Sequence, residues 1–148
     1  LTNADKIPDG YADEYGVDVR EVEGAGAAGG LAGGLVAEGA RVESGFDLLA
    51  EAVECDRRLV GADLVITGEG LLDAESFNGK VVGGVTSWAA DESVPVLAIV
   101  GEARPGVTVP DHLTVEALSA RFGEQASWDR PLELVAELSV EAVSALSP

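Results

Sequence analysis

The sequence predicts an α/β fold, a Rossmann-like or flavodoxin-like parallel sheet with flanking helices, and three observations carry that prediction. Two short apolar runs, Ala62-Asp63-Leu64-Val65-Ile66-Thr67 and Val94-Pro95-Val96-Leu97-Ala98-Ile99-Val100, have the length and composition of buried strands. Helix-like segments separate and follow them across residues 62–146, which suits parallel strands joined by crossovers. Each run leads into Gly-Glu, at Gly68-Glu69 and Gly101-Glu102. Acids then stand at the carboxyl ends of strands, where open α/β sheets bind ligands.

The elements follow in order. Residues 1–17 are polar and turn-rich, with Pro8-Asp9-Gly10 a turn signal, and are expected as a loosely packed lead-in to an α/β domain over 18–148. Val17–Val22 alternates apolar and polar residues and predicts a half-exposed strand. Gly24–Leu35 holds six glycines in twelve residues and contains the Gly-x-Gly-x-x-Gly spacing. That spacing suits either an anion cradle at a helix start or close helix packing through small residues. As a dinucleotide fingerprint it is weak, because the preceding segment is short and acidic and the candidate ribose acid, Glu43, falls in a loop. A Rossmann-type oxidoreductase resting on this run alone is the least favoured function.

Ser44 caps a predicted amphipathic helix with Phe46, Leu49 and Val53 on its apolar face, and Cys55–Val60 extends or repeats it up to Gly61. Residues 79–90 predict a helix that starts at Lys80, with Val81, Val85 and Trp88 on one face. Lysine there is unfavourable for the helix dipole, and a bound anion would relieve the mismatch. Leu113–Leu118 predicts a third strand, and Pro131–Val143 a closing helix with proline in its first turn.

Composition narrows the partners. The 148 residues suffice for one domain, and 47% hydrophobic with 5% aromatic content implies a Val/Leu/Ala core. A formal charge of −18 and a pI near 4.1 repel nucleic acids and anionic membrane surfaces. No run reaches the roughly 18–20 apolar residues of a membrane span, so a soluble, cytoplasmic protein is expected. Leu1 and the absence of methionine suggest that the chain begins inside a longer product. The single cysteine, Cys55, and single histidine, His112, supply neither a disulfide nor a zinc set. Cys55 is read as structural.

Chemistry concentrates in Ile66–Lys80, which contains Glu69, Asp73, Ser76 and Lys80. Phosphoryl transfer asks for a group that orients the attacking hydroxyl, carboxylates for a metal, and cationic or N–H donors for phosphate. Here Asp73 is the candidate base or hydroxyl-orienting group, and Glu69 the candidate for a Mg²⁺-linked or substrate-binding role. Both acids equally suit a metal. Lys80 and Ser76 are candidates for contacts to phosphate or a substrate carboxylate. Gly24, Gly26, Gly29, Gly30, Gly68 and Gly70 are candidates for close backbone approach to a ligand. Against this stands a purely local role in which Glu69 and Asp73 cap the following helix.

Gly24–Leu31, then Gly61–Gly70, then Asp73, Ser76 and Gly79-Lys80, then Val94-Pro95-Val96, together resemble the bacterial type I glycerate kinase family, over about residues 18–105 and plausibly to the end. The resemblance implies a two-domain α/β enzyme, of which this chain is the carboxyl-terminal portion, that phosphorylates D-glycerate with ATP and Mg²⁺. Its partners would then be small molecules; the oligomeric state stays open, a homo-oligomer included. Two departures stand out. Leu71 follows Gly-Glu-Gly where the family usually has arginine, and Asn78 precedes Gly-Lys where it usually has histidine. The family's amino-terminal part, with its Ser-Phe-Lys-Gly segment, is also not in these residues, so the chain is expected to carry part of an active site. The competing function is a non-catalytic binding or regulatory domain on the same scaffold.

Overall fold

A computed structural model describes residues 3–146 of the chain, which divides into two compact units, 1–44 and 45–148. In the first, α1 (Asn3–Tyr15) occupies the expected turn-rich lead-in, and Pro8-Asp9-Gly10 lies inside the helix rather than in a turn. Tertiary contacts override the local turn signal: the Tyr11 hydroxyl donates to the Gly30 carbonyl at 3.1 Å. The same ring covers the glycine run, where a Cβ added at Gly34 would stand 3.0 Å from the Tyr11 hydroxyl oxygen.

Val17–Val22 is not a strand. Its backbone turns locally, with Val22 N–H donating to Val19 O and Ala25 N–H to Val22 O, while Val19 is buried. Alternation alone gives no strand without a partner to pair with, and among the described residues of this unit there is none. A 3₁₀ turn (Ala27–Gly30) then leads into α2 (Leu31–Ala37) through left-handed Ala28, Gly29 and Gly30.

Arg20 clasps Asp18 with two hydrogen bonds, of 2.8 and 2.7 Å, and reaches Asp9 of α1 at 3.2 Å. The guanidinium holds the Asp18 carboxyl down from 3.8 to about 2.

In the second unit, α3 (Gly45–Ala52) is followed by α4 (Cys55–Leu59), separated by left-handed Glu54. The apolar face of α3 differs from the expected one. Ala50 is buried and Phe46 packs edge-to-face on Trp88 with ring centroids 5.9 Å apart, whereas Leu49 and Val53 are exposed. Three parallel strands follow in the order β1-β2-β3: β1 (Val65–Leu72), β2 (Val96–Ala103) and β3 (Leu113–Ala117). Between β1 and β2 run a 3₁₀ turn (Ala74–Phe77) and α5 (Val81–Asp91); β2 reaches β3 through a loop with no helix. Helices α6 (Leu118–Phe122), α7 (Glu124–Asp129) and α8 (Pro131–Ala145) close the unit.

The parallel sheet is as predicted, and β2 is its centre, buried on both sides. Val96, Ala98 and Val100 point into one cluster with Val82 and Ala89 of α5; Leu97 and Ile99 point into another with Leu118, Leu134 and Leu138. Helix α5 buries Val82, Thr86 and Ala89, so Val81, expected on its inner face, is exposed.

The strand expected to stop at Thr67 runs on to Leu72. Gly68 permits this, because a Cβ there would collide with the Ile99 carbonyl oxygen. Gly101 repeats the device, its added Cβ falling 2.6 Å from Gly70 O. Glycine here marks close approach of two backbones rather than a break.

Two outcomes follow for the full-length gene product. Gly68→Ala lowers stability by about 1–3 kcal/mol in denaturant unfolding, while Gly70→Ala, whose added Cβ meets nothing within 4 Å, leaves the midpoint close to wild type. In an NMR titration Asp18 has its midpoint near 2, and Arg20→Gln returns it towards the ordinary value. Because the folded carboxyl is the stronger acid, the pair's small contribution is complete above about pH 4 and is lost as pH falls through about 2. Both side chains are half exposed, so salt weakens it.

Candidate functional site

The carboxyl ends of β1 and β2 carry the chemistry of the site. Glu69 lies within β1, not after it, in register with Val100. Glu69 is half-buried and is also one of the residues lining the cavity described below. Glu69 Oε1 is buried with no hydrogen-bond partner. Leaving a buried polar atom unpaired costs roughly 1–3 kcal/mol, and more for a charged group.

Asp73 ends the strand in extended geometry and opens the 3₁₀ turn. Asp73 Oδ1 accepts the Glu75 N–H at 2.9 Å, and the fully buried Ser76 hydroxyl accepts the Asp73 N–H at 3.0 Å. This reciprocal pair is the capping role set against catalysis at the sequence level, and Asp73 and Ser76 both carry it. Glu69 caps nothing. The turn is fixed from behind by α5, where a Cβ added at Gly83 would fall 2.6 Å from Phe77 Cα. Lys80 is the residue before α5, with extended backbone and an exposed side chain that makes no ion pair among the described residues. Asn78 donates to Glu75 at 3.2 Å. Among the described residues no group of three or more His, Cys, Asp or Glu is arranged to hold a metal.

On the face of the sheet that carries Ile99 and Leu118 lies a cavity of about 540 Å³. One wall is the 69–71 stretch of β1 with Ile99, Gly101 and Glu102 of β2. The other comes from α6, α7 and the start of α8, including Leu118, Ser119, Glu124, Ser127, Trp128 and Val135. Its lining contains acids and an indole but no lysine, arginine or histidine. Trp128 is 78% exposed beside it.

The structure thus gathers Glu69, Gly70, Asp73 and Ser76 at one strand end, with Lys80 at the start of the following helix. Gly68 is occupied in strand packing. Gly24, Gly26, Gly29 and Gly30 belong to the other unit, where turns replace the strand that a dinucleotide fingerprint requires before its glycines. Sequence reading missed Ser119, Glu124, Ser127 and Trp128. The only signal was a large aromatic in an acidic segment between two stronger elements.

The glycerate kinase family matches residues 2–145. The chain is similar to the glycerate 2-kinase of Escherichia coli K12, 39% identical over 103 residues that cover 69% of this chain and 27% of that protein. It is likewise similar to the glycerate kinase of Bacillus subtilis 168, 44% identical over 87 residues covering 58% of this chain and 23% of that one. A solved structure from Salmonella typhimurium LT2, described as a glycerate kinase 2, superposes with a TM-score of 0.52 at 27% identity, over 97% of this chain and 38% of that one. The aligned segments span between 21% and 29% of the length of the curated relatives matched. With the family match running along almost the whole sequence and the parallel sheet shared with a solved relative, this chain belongs to the glycerate kinase family.

Proposed function

We propose that the protein carrying this chain phosphorylates a hydroxyl of D-glycerate from ATP, and that the carboxyl end of β1 supplies part of the active site. The observation that carries this reading is the buried, unpartnered carboxylate oxygen of Glu69 in the carboxyl half of a parallel strand in a chain of the glycerate kinase family. A group left unsatisfied in the fold is available to a ligand at no cost in broken native bonds.

In this reading Asp73 orients the attacking hydroxyl and takes its proton, held in place by the Ser76 hydroxyl behind its backbone. Lys80, exposed and free of ion pairs among the described residues, meets phosphate or the glycerate carboxylate. Ser76 is buried in the turn, which favours a positioning role over direct phosphate contact. Mg²⁺ is held by one or two carboxylates together with phosphate oxygens and water; Glu69 or Asp73, about 13 Å apart along an extended chain, would each supply such a carboxylate singly rather than as a pair. When bound, the ion would neutralise phosphate charge. The protein is expected to work as a soluble cytoplasmic enzyme on small molecules, and no helix of the described residues is long and apolar enough to cross a membrane.

A coupled assay with ATP, Mg²⁺ and D-glycerate on the full-length gene product tests the proposal. Glu69→Gln is expected to lower kcat/KM by about 100-fold or more, while the melting temperature holds close to wild type because the buried oxygen has no native hydrogen bond to lose. Asp73→Asn preserves a capping residue and should cut turnover by about 100- to 10,000-fold with folding intact. Near-wild-type turnover in both variants would overturn these roles. Leu71 and Asn78, where the family pattern has arginine and histidine, favour the second reading of a non-catalytic binding domain. Glycerate binding without turnover would establish it.

A further inference from the structure

The acid-lined cavity on the Ile99 face of the sheet is not explained by glycerate or phosphate. Both are anions, and its acids are Glu69, Glu102 and Glu124, beside the hydroxyls of Ser119 and Ser127, with no cation in the lining. Two like charges about 4 Å apart repel by about 1 kcal/mol in water and about 4 at the effective dielectric of a protein surface. Glu102 is partly neutralised by Arg104 at 3.4 Å, but Arg104 is outside the lining.

We infer, on the kinase reading above, that this cavity receives the nucleoside end of the phosphoryl donor, its base against Trp128 and its hydroxyl and amino donors on Glu102 and Glu124. Three features favour a neutral, flat, donor-rich ligand. The cavity, at about 540 Å³, is of small-ligand size, with Leu118 and Val135 in its walls. An indole left 78% exposed at its rim offers a face on which a base stacks. Carboxylates accept from ribose hydroxyls, the role an acid plays towards ribose at a strand end in other α/β folds.

The position is also right for a nucleotide that crosses the sheet's edge. Gly70 stands between the cavity wall and the Asp73 turn, and the space beside its Cα is open. Phosphates extending over Gly70 would leave the acidic cavity for the side that carries Lys80. The cavity and the Asp73–Lys80 stretch therefore divide one substrate by charge, nucleoside in the cavity and phosphates beyond it, with Glu69 at the junction.

The test uses the full-length gene product and two readouts. Adenosine, which has no phosphate, is titrated calorimetrically into wild type, Trp128→Ala and Glu102→Gln, and KM is measured separately for ATP and for D-glycerate. Adenosine should bind wild type and compete with ATP. Trp128→Ala should weaken adenosine and raise the KM for ATP by about ten- to hundredfold, with the KM for glycerate unchanged; Glu102→Gln should act in the same direction. If phosphorylation proceeds but adenosine binds Trp128→Ala as tightly as wild type, or the variants raise the KM for glycerate alone, the inference fails and the kinase reading stands. If adenosine binds in a Trp128-dependent way but glycerate is not phosphorylated, the kinase reading fails and the nucleoside site stands. Circular dichroism of each variant confirms that a loss is not unfolding, and Trp128, largely exposed, can be removed with little expected effect on the fold.

Discussion

The second unit depends on one constraint: the backbones of β1 and β2 approach closely where β1 would otherwise end. Gly68 lies against the Ile99 carbonyl and Gly101 against that of Gly70, and no larger residue fits either place without moving a strand. Those contacts keep β1 in the sheet as far as Leu72. Glu69 is therefore held by ladder hydrogen bonds on a strand rather than by a loop. Rigid placement of a charged group is what electrostatic catalysis needs, since donors and acceptors already in position reorganise little during reaction. The turn that follows is similarly over-determined, with Asp73 and Ser76 bonded to each other's ends and Gly83 of α5 pressed against Phe77.

The sheet separates two kinds of environment. Towards α5, Leu72, Val82, Val96 and Val100 are almost fully buried. Towards α6 and α8, β1 is thinly covered: Ile66, Gly68 and Gly70 are all exposed, and the wall of the cavity begins there. Parallel sheets are normally covered on both faces. Here α6 and α8 cover β2 through Leu97 and Ile99 but leave the β1 end open, and that opening is the cavity.

Much of the fold was legible because its strongest signals have single meanings. A continuous apolar run such as Val96–Val100 is stable only when covered on both sides, and β2 is so covered. Proline at position 131 followed by Leu134 and Leu138 at helical spacing gave α8. Ambiguous signals failed. Gly68 reads equally as a turn or as close packing, and only Ile99 on another strand decides between them. Pro8-Asp9-Gly10 reads as a turn until Tyr11 is seen bonded to Gly30, nineteen residues on. The apolar faces of α3 and α5 were only partly placed: Phe46 and Trp88 pack together, whereas Leu49, Val53 and Val81 share the helical spacing but are exposed. Within the site, Glu69 and Asp73 could be named from their neighbours in sequence. Glu102 and Trp128 could not be joined to them, since β2 and α7 come together only through the tertiary fold.

Leu71 connects the two halves of the site. It lies in the cavity wall, and its register partner is Glu102. An arginine there could reach Glu102 or a substrate anion and would bring positive charge to the cavity; leucine brings none. With Leu71 in place, Glu102 has only the exposed Arg104 at 3.4 Å, an interaction that water and salt weaken. The cavity then stays net acidic, and any anion entering it must do work against that charge. Lys80, exposed at the start of α5, is left as the cation nearest in sequence to Asp73. An uncharged leucine at position 71 thus leaves the cavity acidic while Lys80 stands outside its lining, favouring hydrogen-bond donors within the cavity and anions beyond it.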